Sequence, residues 1–89
     1  YQLNERGIQQ LVAAFSALGL EFVPSYGNFV LFKVGPAERV YQELLKRGVI
    51  VRPVGNYELL EWLRVTVGLP EENAQFLDAL PPALAVARA

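Results

Sequence analysis

Two apolar runs near the middle of the chain each carry a single arginine, and this pattern constrains the fold more than any other. The first reads Val49-Ile50-Val51-Arg52-Pro53-Val54 and the second reads Trp62-Leu63-Arg64-Val65-Thr66-Val67. Runs this rich in β-branched and aromatic residues predict strands. Successive strand side chains alternate between faces. Leu63, Val65 and Val67 therefore share a core face, while Trp62, Arg64 and Thr66 share the opposite one. By the same rule Arg52 lies with Ile50, opposite Val49 and Val51. In a hairpin centred near Glu58, Arg52 and Arg64 are each six residues from the centre and face one another.

Like charges directly opposite one another destabilise a sheet, so the pairing admits two readings. A phosphate or carboxylate held between the arginines offsets the repulsion, because guanidinium offers both anions planar, bidentate hydrogen bonds. Alternatively, both side chains snorkel from the sheet edge into water and pair with Glu58 or Glu61.

The flanking segments alternate helix and strand. Ile8, Leu11, Val12, Phe15 and Leu18 recur at helical spacing, and Gly19 stands where that helix should stop. Glu21–Pro24 reads as a short extended piece, confined by Pro24 to an edge. A turn over Ser25–Asn28 leads to Phe29–Val34, whose near-continuous apolarity predicts a strand covered on both faces or nearly so. After Gly35-Pro36, a second helix is expected from Ala37 to Arg47. Its stripe is Val40, Tyr41, Leu44 and Leu45, its wet face is Glu38, Arg39, Glu43 and Lys46, and it stops at Gly48. Glu43 and Arg47 are correctly spaced for a surface ion pair. A third helix opens at Pro70 with Glu71 and Glu72 in its first turn. It buries Phe76, Leu77 and Leu80, and Pro81-Pro82 is expected to interrupt it. Leu69 is a poor N-cap for this helix.

The expected order is α, short β, β, α, β, β, α. This predicts an α+β fold, a two-layer sandwich with a three- to four-stranded, mostly antiparallel sheet and helices on one face. The other face is left as a docking surface.

Composition narrows the function classes. Eighty-nine residues make one small domain with a modest core. The chain is 53% hydrophobic and 19% charged, which excludes disorder. A net charge of −1 and a pI near 5.3 give no electrostatic footprint for nucleic acid. With no Cys and no His, disulfides, thiol catalysis, imidazole acid–base chemistry and the common zinc sites are excluded. No run approaches the roughly 18–20 apolar residues of a membrane span, and no signal-peptide layout appears. A cytoplasmic origin is expected. The chain contains no Met and starts at Tyr1, so it is expected to be a piece of a longer protein.

The span from Gly48 to Leu80 resembles the C-terminal part of histidinol-phosphate aminotransferases, pyridoxal-phosphate enzymes of the aspartate aminotransferase fold. The resemblance rests on Gly48-Val49-Ile50-Val51-Arg52-Pro53, on Trp62-Leu63-Arg64-Val65-Thr66-Val67-Gly68, on Pro70-Glu71-Glu72-Asn73 and on Phe76-Leu77. Asn28-Phe29-Val30-Leu31-Phe32 resembles a further family strand, so the likeness extends over essentially the whole chain as a single small domain, residues 1–89. Two departures stand out: Glu58-Leu59-Leu60-Glu61 replaces a Gly-Leu-Pro or Gly-Met-Pro loop, and Leu69 replaces the more usual Thr.

The resemblance implies that Arg64 grips the anionic group of the substrate, that Arg52 is the second arginine of the clamp, and that Asn28 is a lesser candidate at the rim. It implies a parent enzyme that moves an amino group between glutamate and imidazole-acetol phosphate in histidine biosynthesis. That enzyme would be a homodimer with pyridoxal phosphate held mainly by a large domain outside this chain. The lysine that carries the cofactor is expected upstream, since neither Lys33 nor Lys46 has the required neighbourhood. The chain alone is therefore expected to bind no cofactor, metal, nucleic acid or membrane, and to be inactive. The alternative from the residues themselves is a free-standing α+β module that binds or senses a small anion.

Overall fold

The computed structural model describes residues 2–24, 27–54 and 60–89, with side chains described from residue 5 onward. In chain order the elements are α1 (Gln2–Ala17), β1 (Phe22–Pro24), β2 (Phe29–Lys33), α2 (Ala37–Lys46), β3 (Arg52–Pro53), β4 (Trp62–Thr66) and α3 (Pro70–Ala87). The strands form one antiparallel sheet in the order β1-β2-β4-β3. All three helices contribute to a single apolar core on one face of it. The α+β sandwich expected from the sequence is the fold observed.

Glycine ends the first two helices in the same way. At Gly19 and Gly48 the backbone takes φ values of 73° and 77°, which a side chain would resist. Each turn then closes with the paired bonds of a Schellman motif. Gly48 and Val49 donate their N–H groups to the carbonyls of Leu45 and Leu44, and Gly19 and Leu20 donate to Ser16 and Phe15. The residue after each glycine, Leu20 or Val49, folds back into the core. Leu20 takes the buried place that helical spacing had assigned to Leu18, which lies beyond the last turn of α1 and is exposed.

The core is tied together by phenylalanines from different elements. Phe15 of α1 stacks on Phe32 of β2 with centroids 4.9 Å apart, and Phe76 of α3 meets both rings edge-on at 6.1 and 5.6 Å. Such offset and edge-to-face pairs are each worth roughly 0.5–1.5 kcal/mol beyond area burial. Around them pack Val30, Leu63 and Val65 from the sheet, Val40 and Leu44 from α2, and Leu80 from α3. On the wet side of α2, Glu43 accepts bonds from Arg47 at 2.8 Å and Lys46 at 2.9 Å. Those two partners, Arg47 first, hold its carboxyl below the ordinary value.

Four expectations need correction. The helix α3 does not stop at Pro81-Pro82 but runs through both to Ala87. Both prolines are exposed, while Leu80, Ala83, Leu84 and Ala87 keep one buried seam intact. Second, the strand expected over Val49–Val54 is reduced to Arg52–Pro53. Val49 and Val51 are buried as the alternation required, but the segment leads out of the α2 turn and joins the sheet only at its end. Third, β2 is covered on one face rather than two: Val30 and Phe32 are fully buried, while Phe29, Leu31 and Lys33 are half-buried. Fourth, Leu45 of the expected α2 stripe is exposed, and Glu43 of its expected wet face is partly covered by its two cationic neighbours.

The turn from β4 into α3 is fastened by Asn73, the one buried polar side chain among the described residues, at 2% exposure. Its Oδ1 accepts the Gly68 N–H at 2.9 Å, and its Nδ2 donates to the Gly68 carbonyl and to Gln10 Oε1, each at 3.2 Å. Glu72 Oε1 accepts the Leu69 N–H at 2.8 Å, the half of a capping box that the third helical residue supplies, while the Leu69 side chain has no acceptor for the other half. Gly7 lets α1 approach here, because a Cβ at that position would overlap Val67 Cγ1. Truncation of Asn73 removes three hydrogen bonds and takes the side-chain partner from the half-buried Gly68 N–H and carbonyl, which costs about 1–3 kcal/mol. Urea denaturation of Asn73→Ala should show a loss of that order; a change below about 0.5 kcal/mol, the size usual for a surface substitution, would contradict the fastening role.

Candidate functional site

The arginines come together where the sequence register put them. Arg52 of β3 and Arg64 of β4 are direct antiparallel partners, and Pro53 faces Leu63. The hairpin turn itself, including Glu58, lies outside the described residues. On the other side of β4 the register pairs Phe29 with Thr66, Leu31 with Arg64 and Lys33 with Trp62. Cross-strand partners share a face, so the outer face of the sheet carries Phe29, Leu31, Lys33, Arg52, Trp62, Arg64 and Thr66, with Val23 at its edge through its pairing with Leu31. The buried partners Leu63 and Val65 fix this assignment, since a one-residue slip would drive Arg64 into the core.

Backbone direction sets how close the arginines stand. Val67 donates its N–H to the Asn28 carbonyl at 2.6 Å, so odd-numbered β4 residues bond toward β2 and even-numbered ones toward β3. Arg64 and Arg52 are therefore a hydrogen-bonded pair, a geometry that spaces Cα atoms by about 5.5 Å.

The charge on this face is one-sided. The four strands contain Lys33, Arg52 and Arg64 and no Asp or Glu. Lys33 is 3.7 Å from Glu61, which lies just before β4. Among the described residues neither Arg52 nor Arg64 forms an ion pair, and Glu61 pairs with Lys33 instead; both arginines are exposed, and Glu58, the other acid the solvated reading offered them, lies outside the described residues. Arg64 instead holds its guanidinium carbon 5.2 Å from the centroid of the Phe29 ring. That is cation–π distance, and it satisfies the cation without consuming any of its N–H donors.

The third candidate, Asn28, stands apart. It precedes β2, its carbonyl bonds to Val67, and it sits three rungs along the ladder from Arg64, roughly 10 Å at the usual rise. Its placement serves the end of the β2–β4 ladder. A cleft of about 320 Å³ opens beyond the end of the β3–β4 pairing, between Val49–Ile50, Thr66 and the first turns of α3 at Glu72 and Phe76. The arginines do not line it. They stand on the open outer face, where a small anion would be covered on one side only. Phe29 carried no role in the sequence reading; its signal was its place two residues before Leu31, the partner of Arg64.

A fold with three helices on one face of a β1-β2-β4-β3 antiparallel sheet has close counterparts among known proteins. The chain superimposes on histidinol-phosphate aminotransferase from Sinorhizobium meliloti, solved in complex with pyridoxal-5'-phosphate, with a TM-score of 0.87 over 96% of this chain and 24% of that one, at 22% identity, a likeness of fold. It superimposes on an aspartate aminotransferase variant from Thermus thermophilus with a TM-score of 0.80 at 25% identity, over 92% of this chain and 24% of that one. The sequence model of aminotransferase class I and II matches residues 3–80, and the chain belongs to that family. Among its relatives, histidinol-phosphate aminotransferase 1 of Dechloromonas aromatica is 58% identical over 94% of this chain, and that of Thiobacillus denitrificans is 61% identical over 98%. The chain spans only about a quarter of the length of these relatives, 23% in both cases.

Facing guanidiniums repel, and the pair should register in stability. Replacing Arg52 by Gln is expected to stabilise the chain by up to about 1 kcal/mol at low salt. The gain should shrink as salt screens the charges. Thermal unfolding at two ionic strengths checks this. A clear, salt-independent loss of stability in Arg52→Gln would mean that the pair is not under repulsion.

Proposed function

We propose that this chain is the substrate-anion-gripping small domain of a histidinol-phosphate aminotransferase, with Arg64 as the principal grip and Arg52 as its partner. The observation that carries the reading is the Arg52–Arg64 register on a sheet face with no acidic strand residue. Close like charges with no ion-pair partner among the described residues are costly to maintain, whereas a carboxylate or phosphate between them turns the cost into affinity. The identity of 58–61% to relatives of that name supports the choice of substrates: glutamate, and the phosphorylated imidazole-acetol that accepts its amino group. In one half-reaction the clamp meets a carboxylate, in the other a phosphate. Guanidinium accommodates both, which a site tuned to one geometry would not. Asn28 contributes at most to the rim.

Pyridoxal phosphate, when bound to the enzyme, supplies the electron sink for amino transfer. The residues of this chain do not fit its attachment. Lys33 is partnered by Glu61, and Lys46 lies on the exposed side of α2 with its ammonium 2.9 Å from Glu43. In this reading the cofactor lysine belongs to the large domain, which also covers the open face beside the arginines, in a cytoplasmic homodimer. What this chain does in the reaction is bind and orient: it fixes the anionic end of the substrate so that the amino-bearing carbon is presented to the cofactor, and the core-anchored β4 keeps that end from drifting.

The test is Arg64→Gln in the full-length enzyme. Loss of hydrogen bonds to a charged group costs roughly 1.5–3 kcal/mol, so the KM for glutamate should rise at least tenfold, while the cofactor absorbance stays unchanged. Unaltered kinetics for both substrates would sink the assignment.

A further inference from the structure

We infer that Phe29 is a positioning residue for Arg64, presenting its guanidinium to the substrate anion without neutralising it; this rests on the proposed role of Arg64. Three observations converge. The Arg64 guanidinium carbon lies 5.2 Å from the Phe29 centroid. The register makes this contact a diagonal one, since Phe29 faces Thr66 and Arg64 faces Leu31, a spacing within reach of an aromatic and a long side chain. The strand order places β2 and β3 on opposite flanks of β4, so Phe29 and Arg52 stand on opposite sides of Arg64.

Each observation has a physical consequence. The negative face of the ring attracts the cation toward β2, away from Arg52, which lowers the repulsion between the guanidiniums and leaves room between them. A half-buried ring on a rigid central strand also restricts the rotamers of a long side chain that would otherwise lose that freedom on binding substrate. A carboxylate in the place of Phe29 would hold Arg64 equally well but would occupy the N–H edge that the substrate needs. The ring holds the cation and leaves its donors available. Within this chain the ring at the outer position opposite Thr66 does not contribute to the core, which lies on the other face.

The experiment is steady-state kinetics of the full-length enzyme with glutamate. Phe29→Leu keeps an apolar side chain of similar reach but removes the ring; KM should rise about 3- to 30-fold, the span of cation–π strengths, with kcat changed less than about twofold, as expected when binding rather than chemistry is affected. Phe29→Tyr should rescue most of the loss. In an Arg64→Gln background, Phe29→Leu should add nothing. Should Phe29→Leu fold poorly, fluorinated phenylalanines at position 29 keep the shape while draining the ring face, and KM should climb with each fluorine. An unchanged KM in Phe29→Leu or across the fluorinated series, beside a raised KM in Arg64→Gln, overturns the positioning role and leaves the anion site standing. An effect of equal size in the Arg64→Gln background also overturns it, assigning Phe29 to general packing. An Arg64→Gln enzyme with normal KM removes both the site and this inference.

Discussion

The register of β4 between its two neighbours is the constraint on which the rest of the structure depends. Leu63 and Val65 are buried at 0% and 5% exposure, and they can be so only if Arg64 and Thr66 face outward. The same pleat that closes the core therefore delivers Arg64 to the outer face, opposite Arg52 on one flank and diagonal to Phe29 on the other. Packing and site are one decision, because a shift by one residue would expose the core strand and bury a guanidinium together. Beyond β4 the chain is held by Asn73 on Gly68 and by the close approach of α1 at Gly7. The strand that carries the arginine is thus fixed at its exit as well as along its length.

Much of this was legible in the residues. The ends of the first two helices followed from Gly19 and Gly48, since glycine tolerates the left-handed turn that ends a helix. The Arg52–Arg64 pairing followed from counting along two apolar runs once a hairpin centred near Glu58 was assumed, and the register observed agrees with that assumption. What was not legible depended on tertiary company. Pro81-Pro82 signals a helix end locally, yet α3 continues because both prolines look to solvent while the seam from Leu80 to Ala87 stays buried. Val49–Val51 has strand composition, but its backbone is committed to leaving the α2 turn. Asn73 looked like one polar residue in an acidic first turn, and only the approach of α1 made it the interior fastening of the β4–α3 junction. Phe29 looked like one more apolar strand residue, and its ring acquires a purpose only once Arg64 is placed beside it.

The outer sheet face explains why a domain of this kind suits part of a larger aminotransferase. It offers cationic groups on a stiff support but, among the described residues, no enclosure, and the cleft beyond β3 does not include the arginines. Affinity for a small anion in open water is poor, since solvent competes for every donor and screens the charge. Enclosure by a second surface lowers the local dielectric and strengthens the same contacts. On the proposed reading the division is physically sensible: one body would hold the reactive group, another the handle of the substrate, and the site would be complete only where they meet.

The central claim is that Arg52 and Arg64 grip one anionic substrate jointly. A double-mutant cycle with Arg52→Gln and Arg64→Gln in the full-length enzyme, read as KM for glutamate, measures this most directly. Groups that share a ligand are coupled, so the double variant should lose less than the sum of the single losses, with an interaction free energy above about 0.5 kcal/mol. Strict additivity, or a loss confined to one arginine, would contradict a shared anion.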